Sequence, residues 1–479
     1  MRISFTRQAI PADRLIRILI IAAIFLLSIM LGMESPYLPY KWVFIGIGAV
    51  IFVIIVLRNM MLGLTLLVAT SSVFSLSFSS GRSSPIPYGM VAMAFLAGLW
   101  LLQMLVRDRD IYLKPSPVNL PFFGFLLAAL LSWLVGYAIW DPSIKAPSNF
   151  LVIQAGQVTI FVLSIIALIL AANQAIQERY LIWWTLIVIG IGTFAIFYRI
   201  LIKPDFAQNL ITFSMLCWPF VLLWGQLLFN RDLKPWMRAI GLLVTAAWFY
   251  WVYTQSFSWK GGWVPALLAF IFMLWFKNKR LFIVIGVISI LLLAVNWKWF
   301  NRSVVSGEVQ SGSTVRPVLW YDVVRLTMRS PIFGLGPVSY KFYWQDPNFV
   351  PLSRFDANWD AWDEWGYSPP SHSTLFDVFA QTGIVGLGFF IWGIVASLWL
   401  CYRIARRVKP GFQQAYVYAV LCGFASITIT SFVFADFILP FVYNLTITQF
   451  RTSVYSWLIL GSVIGFDYTI RGEINNQNA

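Results

Sequence analysis

The sequence predicts an all-α polytopic membrane protein with about 12–14 transmembrane helices and one large extracytoplasmic loop. Hydrophobic residues make up 59% of the 479 residues and charged residues only 11%, whereas an ordinary globular domain carries about 25% charged residues. The apolar residues form runs long enough to cross about 30 Å of hydrocarbon as helices. One long polar stretch, 298–371, interrupts these runs in the second half of the chain.

Fourteen apolar runs are candidate membrane spans. They cover 15–33, 40–57, 59–78, 86–106, 118–140, 150–172, 180–201, 208–229, 236–253, 262–276, 281–297, 372–401, 412–437 and 452–470. Run 262–276 is short and 40–57 with 59–78 could form a tight hairpin, so twelve or thirteen spans are alternatives. The first run follows four arginines and lacks a small-residue cleavage site, so we interpret it as an uncleaved helix rather than a signal peptide.

The basic residues predict the orientation of the spans. With the N-terminus in the cytoplasm, the cytoplasmic segments hold 20 lysines and arginines, against seven in the short loops on the other side. Because cytoplasmic loops are enriched in basic residues, both termini are expected inside. The chain then divides into N-terminal helices (1–297), an extracytoplasmic loop (298–371) and C-terminal helices (372–479). The net charge of +15 comes largely from helix ends, which indicates contact with lipid headgroups rather than nucleic acid.

The loop contains a predicted amphipathic helix in RPVLWYDVVRLTMRS, which SPIFGLGP then ends with proline and glycine. We expect this helix to lie against the outer membrane surface. Arg325 and Arg329 are four residues apart and share a helix face, with Arg316 at the start. Guanidinium groups bind phosphate oxygens in a bidentate manner, so these arginines are candidate phosphate ligands. The alternative is that they contact lipid headgroups.

Three further cations, Arg199, Lys203 and Lys260, stand at the predicted outer ends of helices. A charge at membrane depth costs about 2.5–3.5 kcal/mol at the helix centre on insertion scales and usually faces a polar cavity. The alternative is that the side chains reach up to the interface, an interpretation that suits Lys203 better than Arg199.

His372, in SPPSHSTLFDVFAQTGIVGLG, is the only histidine of the chain. At the start of a helix near the outer surface, its neutral form is favoured, and a neutral imidazole can accept a proton from a hydroxyl. As a base, it should lose activity below about pH 6 to 7. The alternative is a structural role, as for most lone histidines.

The remaining chemistry-bearing residues point to sugars rather than metals. Trp359, Trp362 and Trp365 stand three apart and interleave with acidic residues. Their rings suit sugar faces, but an interfacial anchor is an equal alternative. The three cysteines are odd in number, lie in or beside apolar runs and show no ligand spacing, which predicts no disulfide, no metal site and no cofactor.

Together these elements resemble the O-antigen ligase and polymerase superfamily. The family pattern places R-x-x-x-W, P-x-x-G-x-G and H-N/S-x-x-L…G-x-x-G-L in this order around a large periplasmic loop. Here Arg316 and Trp320 are followed by SPIFGLGP and SHSTLFDVFAQTGIVGLGFF. Upstream, TQSFSWKGGW is similar to the family's T-x-S-R-G-G/A element, with Lys260 where arginine is usual. The detailed match covers about 250–390.

The resemblance implies an inverting, metal-independent membrane glycosyltransferase of the GT-C type in the bacterial cytoplasmic membrane, with its active site outside. Its donor would be an oligosaccharide on undecaprenyl diphosphate and its acceptor a glycan or lipid-linked hydroxyl. His372 would accept the acceptor proton. Arg316, with Arg199 and Lys260, would hold the diphosphate, and Arg325 and Arg329 would be secondary candidates.

Several functions agree with this resemblance. We favour a polymerase of O-antigen or exopolysaccharide repeat units, followed by a lipid A-core ligase and a protein oligosaccharyltransferase. Chain-length regulators and flippases would be further partners. The competing class is a lipid-glycan flippase or transporter, for which midplane charges and repeated halves would be typical. This chain instead places its candidate residues at one predicted face and shows no internal repeat.

Overall fold

The fold was analysed in a computed structural model. It describes residues 2–4, 50–51, 53–71, 73, 77–78, 86–146, 148–202, 213–256, 260–300, 316–344, 346, 348–352, 371–433, 438–442 and 449–477. The predicted span 15–33, most of 40–57, and the candidate residues Lys203, Trp362 and Trp365 lie outside these ranges.

The described part of the chain is almost entirely helical. Its fifteen α-helices are α1 Met60–Thr70, α2 Tyr88–Leu102, α3 Asn119–Ala138, α4 Phe150–Asn173, α5 Glu178–Ile202, α6 Phe213–Phe229, α7 Pro235–Trp251, α8 Lys260–Lys277, α9 Lys279–Val295, α10 Trp297–Phe300, α11 Arg316–Thr327, α12 Tyr340–Tyr343, α13 Thr374–Ala405, α14 Phe412–Val433 and α15 Phe450–Gln477. Two π-helical turns, Gln103–Asp108 and Val252–Ser256, continue α2 and α7.

Four short strands form two antiparallel pairs near helix ends. β1 (Arg2–Ser4) pairs with β4 (Asp110–Tyr112), and β2 (Ser77–Phe78) pairs with β3 (Ile86–Pro87). The second pair accounts for one difference from the sequence prediction. Run 59–78 is not helical throughout, because α1 ends at Thr70 and the chain turns into β2.

Twelve of the fourteen predicted runs coincide with helices in the described ranges, which confirms the all-α polytopic class. Seven of these helices are long and apolar enough to cross a membrane. Many of their apolar side chains face outward, and the shorter helix α9 likewise exposes Ile283, Val287, Ile290 and Leu291. Exposed apolar surface on this scale is stable only in contact with lipid or protein.

The bundle is held together by long helices that pack closely in pairs. Gly461 and Gly465 of α15 lie against α4, where a Cβ atom at Gly461 would come within 2.8 Å of the Ala171 Cβ. Small residues of this kind let transmembrane helices approach closely. Gly423 of α14 faces α6 in the same way, with Trp218 beside it.

Contacts between loops and helix termini identify the two ends of the helix bundle. At one end, Gln413 donates a hydrogen bond to Glu178 (2.7 Å), and Arg407 pairs with Asp467 (3.1 Å). At the other end, which the charge distribution predicts to be outside, the Ser71 hydroxyl donates to the Arg451 carbonyl (2.7 Å). The loop after α3 and helix α12 meet there as well.

Helix α11 packs on protein, which differs from the membrane-surface position that we expected. Leu319, Val323 and Leu326 are buried in a small apolar cluster with Tyr340 of α12 and Ala380 of α13. The helix therefore has the apolar face predicted from the sequence, but this face packs against the start of α13 instead of the membrane surface. The apolar pattern of RPVLWYDVVRLTMRS predicts Met328 on the same face, but α11 ends at Thr327 and Met328 is 54% exposed.

A break inside α13 receives the segment SPIFGLGP. Gly383 has φ 64° and ψ −168°, a region that essentially only glycine occupies. The amide groups of Ile384 and Val385 donate to the carbonyls of Pro331 (2.9 Å) and Ile332 (3.2 Å) instead of continuing the helical ladder.

The docked segment also donates one backbone hydrogen bond to α13 and lies in close contact with the α13 backbone. The amide of Leu335 donates to the Ala380 carbonyl at 2.9 Å. Gly334, with φ 75°, leaves no room for a Cβ atom, which would lie 2.6 Å from the Gly383 nitrogen. Glycine at 334 and 383 is therefore required for the two backbones to meet. This contact fixes the loop to the first turns of α13.

We predict that Gly383→Ala destabilises the protein by at least about 1–3 kcal/mol, because alanine cannot adopt this backbone conformation without strain. Gly388→Ala is the matched control. Gly388 lies on the same helix with nothing within 4 Å of its missing Cβ atom, so alanine should be neutral or slightly stabilising there. Thermal unfolding in detergent measures both effects. Equal melting temperatures for the two variants would contradict the importance of the break.

Candidate active site

His372 lies two residues before α13, in a backbone conformation that side chains seldom adopt. Its φ is 51°, in the left-handed region, where a residue other than glycine is uncommon. The run 372–401 therefore does not begin as a helix, and α13 starts only at Thr374.

Hydrogen bonds on both sides of His372 hold this conformation. The Ser373 amide donates to the Ser371 hydroxyl, which donates in turn to the Ser373 carbonyl, both at 3.1 Å. The Ser373 hydroxyl donates to the carbonyl of Phe432 at the end of α14 (2.6 Å). The indole of Trp320 donates to the Ser371 carbonyl (2.8 Å). Strain at a single residue persists where its surroundings determine the conformation. Here the conformation is determined by the two serines and by their hydrogen bonds to α11 and α14.

Helix α11 brings Arg316 to His372. The ring of Trp320, one helical turn after Arg316, stacks on Phe376 of α13 with centroids 5.1 Å apart and an interplanar angle of 17°. Tyr340 of α12 joins the loop to α13 at a second point, since its hydroxyl donates a hydrogen bond to Asp377 Oδ1 at 2.9 Å. The pattern R-x-x-x-W is thereby explained locally, because its tryptophan anchors the helix that carries its arginine.

The electrostatics of the site favour a neutral imidazole. Burial lowers the pKa of His372, and the positive charge of Arg316 lowers it further, to about 4. Both causes oppose protonation, since each penalises a second positive charge. The imidazole is therefore in its proton-accepting form throughout the neutral range. This moves the acid limit of activity expected from the sequence, pH 6 to 7, down toward 4.

Arg325 and Arg329 point to carboxylates of the loop rather than to His372. Arg325 Nη1 lies 3.1 Å from Oδ1 of the buried Asp322. Arg329 pairs with the buried Asp346 and lies 3.9 Å from Asp141. The Asn348 amide and the Arg329 guanidinium both donate hydrogen bonds to Asp346 and hold the pKa of that carboxyl below its usual range. These pairs connect the loop to the segment after α3.

Arg199 and Lys260 form a second cationic region at the same end of the bundle. The Arg199 guanidinium lies over the ring of Trp251, 5.8 Å from its centroid. Lys260 is the first residue of α8 and is only 8% exposed. Burial of a lysine ammonium at a helix N-terminus is costly without negative charge nearby.

Helix α14 connects this region to His372. The Ser426 hydroxyl of α14 donates to the Pro265 carbonyl of α8, one turn below Lys260. Phe276, at the far end of α8, contacts Tyr418 near the start of α14, with centroids 5.4 Å apart. The two helices are therefore antiparallel, and the Lys260 end of α8 lies toward Phe432, whose carbonyl holds Ser373.

Sequence reasoning did not single out Asp377, Tyr340 or Lys341. Asp377 is fully buried within a predicted membrane helix, and an acidic residue in such a run is itself a functional signal. Burial lowers the pKa of Lys341 to about 8, for which the sequence offers no signal. Within the described ranges, no group of three or more histidine, cysteine, aspartate or glutamate side chains could hold a metal ion, and the three cysteines are free and buried.

A comparison with protein families finds a match to one part of the chain. Residues 239–391 match the model of the O-antigen ligase family. This match confirms the resemblance predicted from the motifs and supports a membrane glycosyltransferase of the O-antigen ligase and polymerase type. It begins near the start of α7 and ends in the middle of α13, and so includes Lys260, Arg316 and His372 but not Arg199. No match to the chain is found among curated proteins.

We predict that the His372 imidazole titrates with a pKa of about 4. Because His372 is the only histidine, isotope-labelled histidine gives a single NMR signal whose shift reports this titration in a detergent micelle or nanodisc. Arg316→Gln should raise the pKa, since it removes a neighbouring positive charge. Arg325→Gln, on the same helix but paired with Asp322, is the control and should leave the pKa unchanged. An ordinary pKa near 6.5 in the wild type would contradict the burial of the ring.

Proposed function

We propose that the chain transfers a glycan from undecaprenyl diphosphate to a sugar hydroxyl on the outer face of the bacterial cytoplasmic membrane, with inversion at the anomeric carbon. The observation that carries this proposal is the placement of Arg316 beside the partly buried imidazole of His372. A neutral base and a fixed guanidinium are the two groups needed by a displacement that deprotonates a hydroxyl and releases a diphosphate.

In the proposed reaction, His372 accepts the proton of the acceptor hydroxyl while the oxygen attacks the anomeric carbon. The bond from this carbon to the diphosphate oxygen breaks, and the electron pair leaves with the diphosphate. The additional negative charge is stabilised by Arg316, with Arg199 and Lys260 as further ligands. Lys203 remains a candidate for the same role, and Trp362 and Trp365 remain candidates for sugar contacts.

Donor binding should also strengthen the base. A pKa of about 4 makes His372 a weak proton acceptor, and a base works best with a pKa near the ambient pH. A bound diphosphate offsets the charge of Arg316 and so removes one of the two causes that lower the pKa. Addition of undecaprenyl diphosphate should therefore move the histidine titration to higher pH.

Polymerisation of O-antigen or exopolysaccharide repeat units is the acceptor chemistry that we propose first. Transfer to lipid A-core is the second candidate, because the matching family is described as O-antigen ligase. The two differ only in the acceptor, so purified protein incubated with donor alone separates them. A polymerase lengthens the lipid-linked glycan, whereas a ligase needs lipid A-core. A flippase would form neither product.

We predict that His372→Gln lowers turnover by on the order of 10²–10⁴, the usual loss when a general base is removed. Glutamine retains bulk and hydrogen bonding but cannot accept a proton near neutrality, so donor binding should persist. Arg316→Lys should also reduce turnover strongly, since lysine retains charge but loses the planar fork. Lys260→Arg, which restores the residue usual in the family, is the control and should be active. Near-normal turnover of the His372→Gln enzyme would exclude the base role.

The orientation of the site is tested by cysteine labelling. The native cysteines are buried, so background labelling should be low. Leu352→Cys, an exposed position near α11, should react with an impermeant reagent in intact spheroplasts because the loop faces outward. Arg406→Cys, in the loop after α13, should react only after lysis. The reverse pattern would place the candidate site in the cytoplasm and contradict the proposed donor side.

A further inference from the structure

A polar cavity of about 640 Å³ lies at the end of the bundle that the charge distribution predicts to be cytoplasmic. Its walls come from the π-helical turn that continues α2, from β4 and the residue two positions after it, and from the end of α4. The lining residues that decide its chemistry are Trp100, Arg107, Asp108, Asp110, Tyr112 and Lys114. None of them belongs to the candidate active site.

The cavity lies at the boundary of the membrane. Two helices that are long and apolar enough to cross a membrane, Tyr88–Asp108 and Phe150–Asn173, both end at it. Leu101 and Leu105 are 46% and 40% exposed, at the same height on α2 as the lining residue Met104. Polar residues at the end of a membrane span lie at the level of the lipid headgroups. A headgroup can therefore enter the cavity while its acyl chains remain beside α2.

The lining carries two charges of each sign. Arg107 and Lys114 supply the positive charges, and Asp108 and Asp110 supply the negative ones. The C-termini of α2 and α4 also lie here, and helix C-termini carry partial negative charge. A ligand with a single anionic group would face these carboxylates as well as the two cations. A zwitterion that combines a phosphate with a cation instead matches both charges of the lining.

The two basic side chains suit a phosphate group. Lys114 Nζ donates a hydrogen bond to the Gln174 carbonyl (3.0 Å) and lies over the ring of Tyr468, 5.3 Å from its centroid. These contacts fix the ammonium group, and its three donors leave capacity for a phosphate oxygen. The Arg107 side chain is 53% exposed, and its planar guanidinium matches the geometry of phosphate oxygens.

The acidic and aromatic side chains suit a primary ammonium group. The Asp108 side chain is 55% exposed, so its carboxylate can accept a hydrogen bond from a ligand. Trp100 and Tyr112 line the same cavity, and the faces of aromatic rings attract cations. A quaternary ammonium would retain the attraction to the rings, but it has no N–H group to donate. The carboxylate therefore favours a primary ammonium over a quaternary one.

We infer that this cavity binds the phosphoethanolamine headgroup of a phospholipid, with Arg107 and Lys114 donating to its phosphate and Asp108 accepting from its ammonium group. The orientation predicted from the basic residues assigns this lipid to the cytoplasmic leaflet. The bound headgroup connects the ends of α2 and α4 with β4, so it stabilises the folded protein by mass action. The inference does not depend on the proposed glycan transfer.

Lipid titrations of the purified protein in detergent test this assignment. Dioleoyl phosphatidylethanolamine should raise the melting temperature. By native mass spectrometry it should bind at least about tenfold more tightly than phosphatidylcholine or phosphatidylglycerol with the same acyl chains, the effect of one hydrogen bond between charged groups. Phosphatidylcholine has no N–H donor, and phosphatidylglycerol has no cation. Equal affinities for the three lipids would overturn the assignment.

A water-soluble probe separates a lipid from a soluble ester. Glycerophosphoethanolamine has the same headgroup without acyl chains, so it should bind much more weakly than the lipid, because it lacks the apolar contact with α2. If it binds as tightly as phosphatidylethanolamine, the ligand is a soluble phosphate ester and the lipid assignment is wrong.

Two substitutions test the two charges of the headgroup separately. Arg107→Gln should weaken binding of phosphatidylethanolamine by about tenfold, and Asp108→Asn should reduce its preference over phosphatidylcholine by a similar factor. Both side chains are more than half exposed, so neither change should alter the melting temperature without lipid. Arg280→Gln removes an exposed arginine outside this cavity and is the matched control. Unchanged affinity in Arg107→Gln, or unchanged selectivity in Asp108→Asn, would refute the inference.

Discussion

The candidate site depends on one backbone contact, the docking of the 331–335 segment into the break of α13 at Gly383. At that point the amides after the break bond to loop carbonyls instead of to their own helix. The loop is thereby held to the first turns of α13, and α11 with it. Without this contact, Trp320 would have no fixed position on Phe376, and Arg316 would have no fixed position beside His372. A backbone contact suits this task because its geometry leaves little freedom to the two chains that it joins.

The arginines of the described loop fall into two groups with different interactions. Arg325 is neutralised by Asp322 of its own helix, and Arg329 by Asp346 and Asp141 from other parts of the chain. These pairs stiffen the loop without adding net charge. Arg316 is instead close enough to His372 to lower the pKa of the imidazole. The separation matters because each guanidinium near a buried imidazole penalises its protonation. A base and a binding site for a diphosphate can share one pocket only if the excess positive charge is limited.

Features that depend on residues close together in the sequence could be predicted, whereas features that depend on contacts between distant residues could not. Hydropathy is local, and twelve predicted runs in the described ranges coincide with helices. Arg316, Trp320 and the segments SPIFGLGP and GIVGLG were identified through the resemblance to the O-antigen ligase and polymerase superfamily. The structure adds the reason for two of their glycines, because Gly334 and Gly383 adopt positive φ angles that favour glycine. The partner of Arg329 could not be found in this way, since Asp141 and Asp346 are distant in sequence. The surface against which α11 packs could not be predicted either, because an amphipathic pattern shows which face of a helix is apolar but not whether lipid or protein covers that face.

The position of the lone histidine follows from the substrate that the proposed function requires. The diphosphate of a lipid-linked donor lies at the membrane surface, while the chain attached to it must remain in hydrocarbon. The reacting carbon therefore has a fixed height, and a base must be held at that height with little freedom. A residue immediately before a long transmembrane helix meets this requirement, because the helix fixes its depth and the serines on either side fix its backbone. The same reasoning accounts for two further candidate ligands of the diphosphate, Arg199 and Lys260, which lie at helix ends on the same side of the bundle.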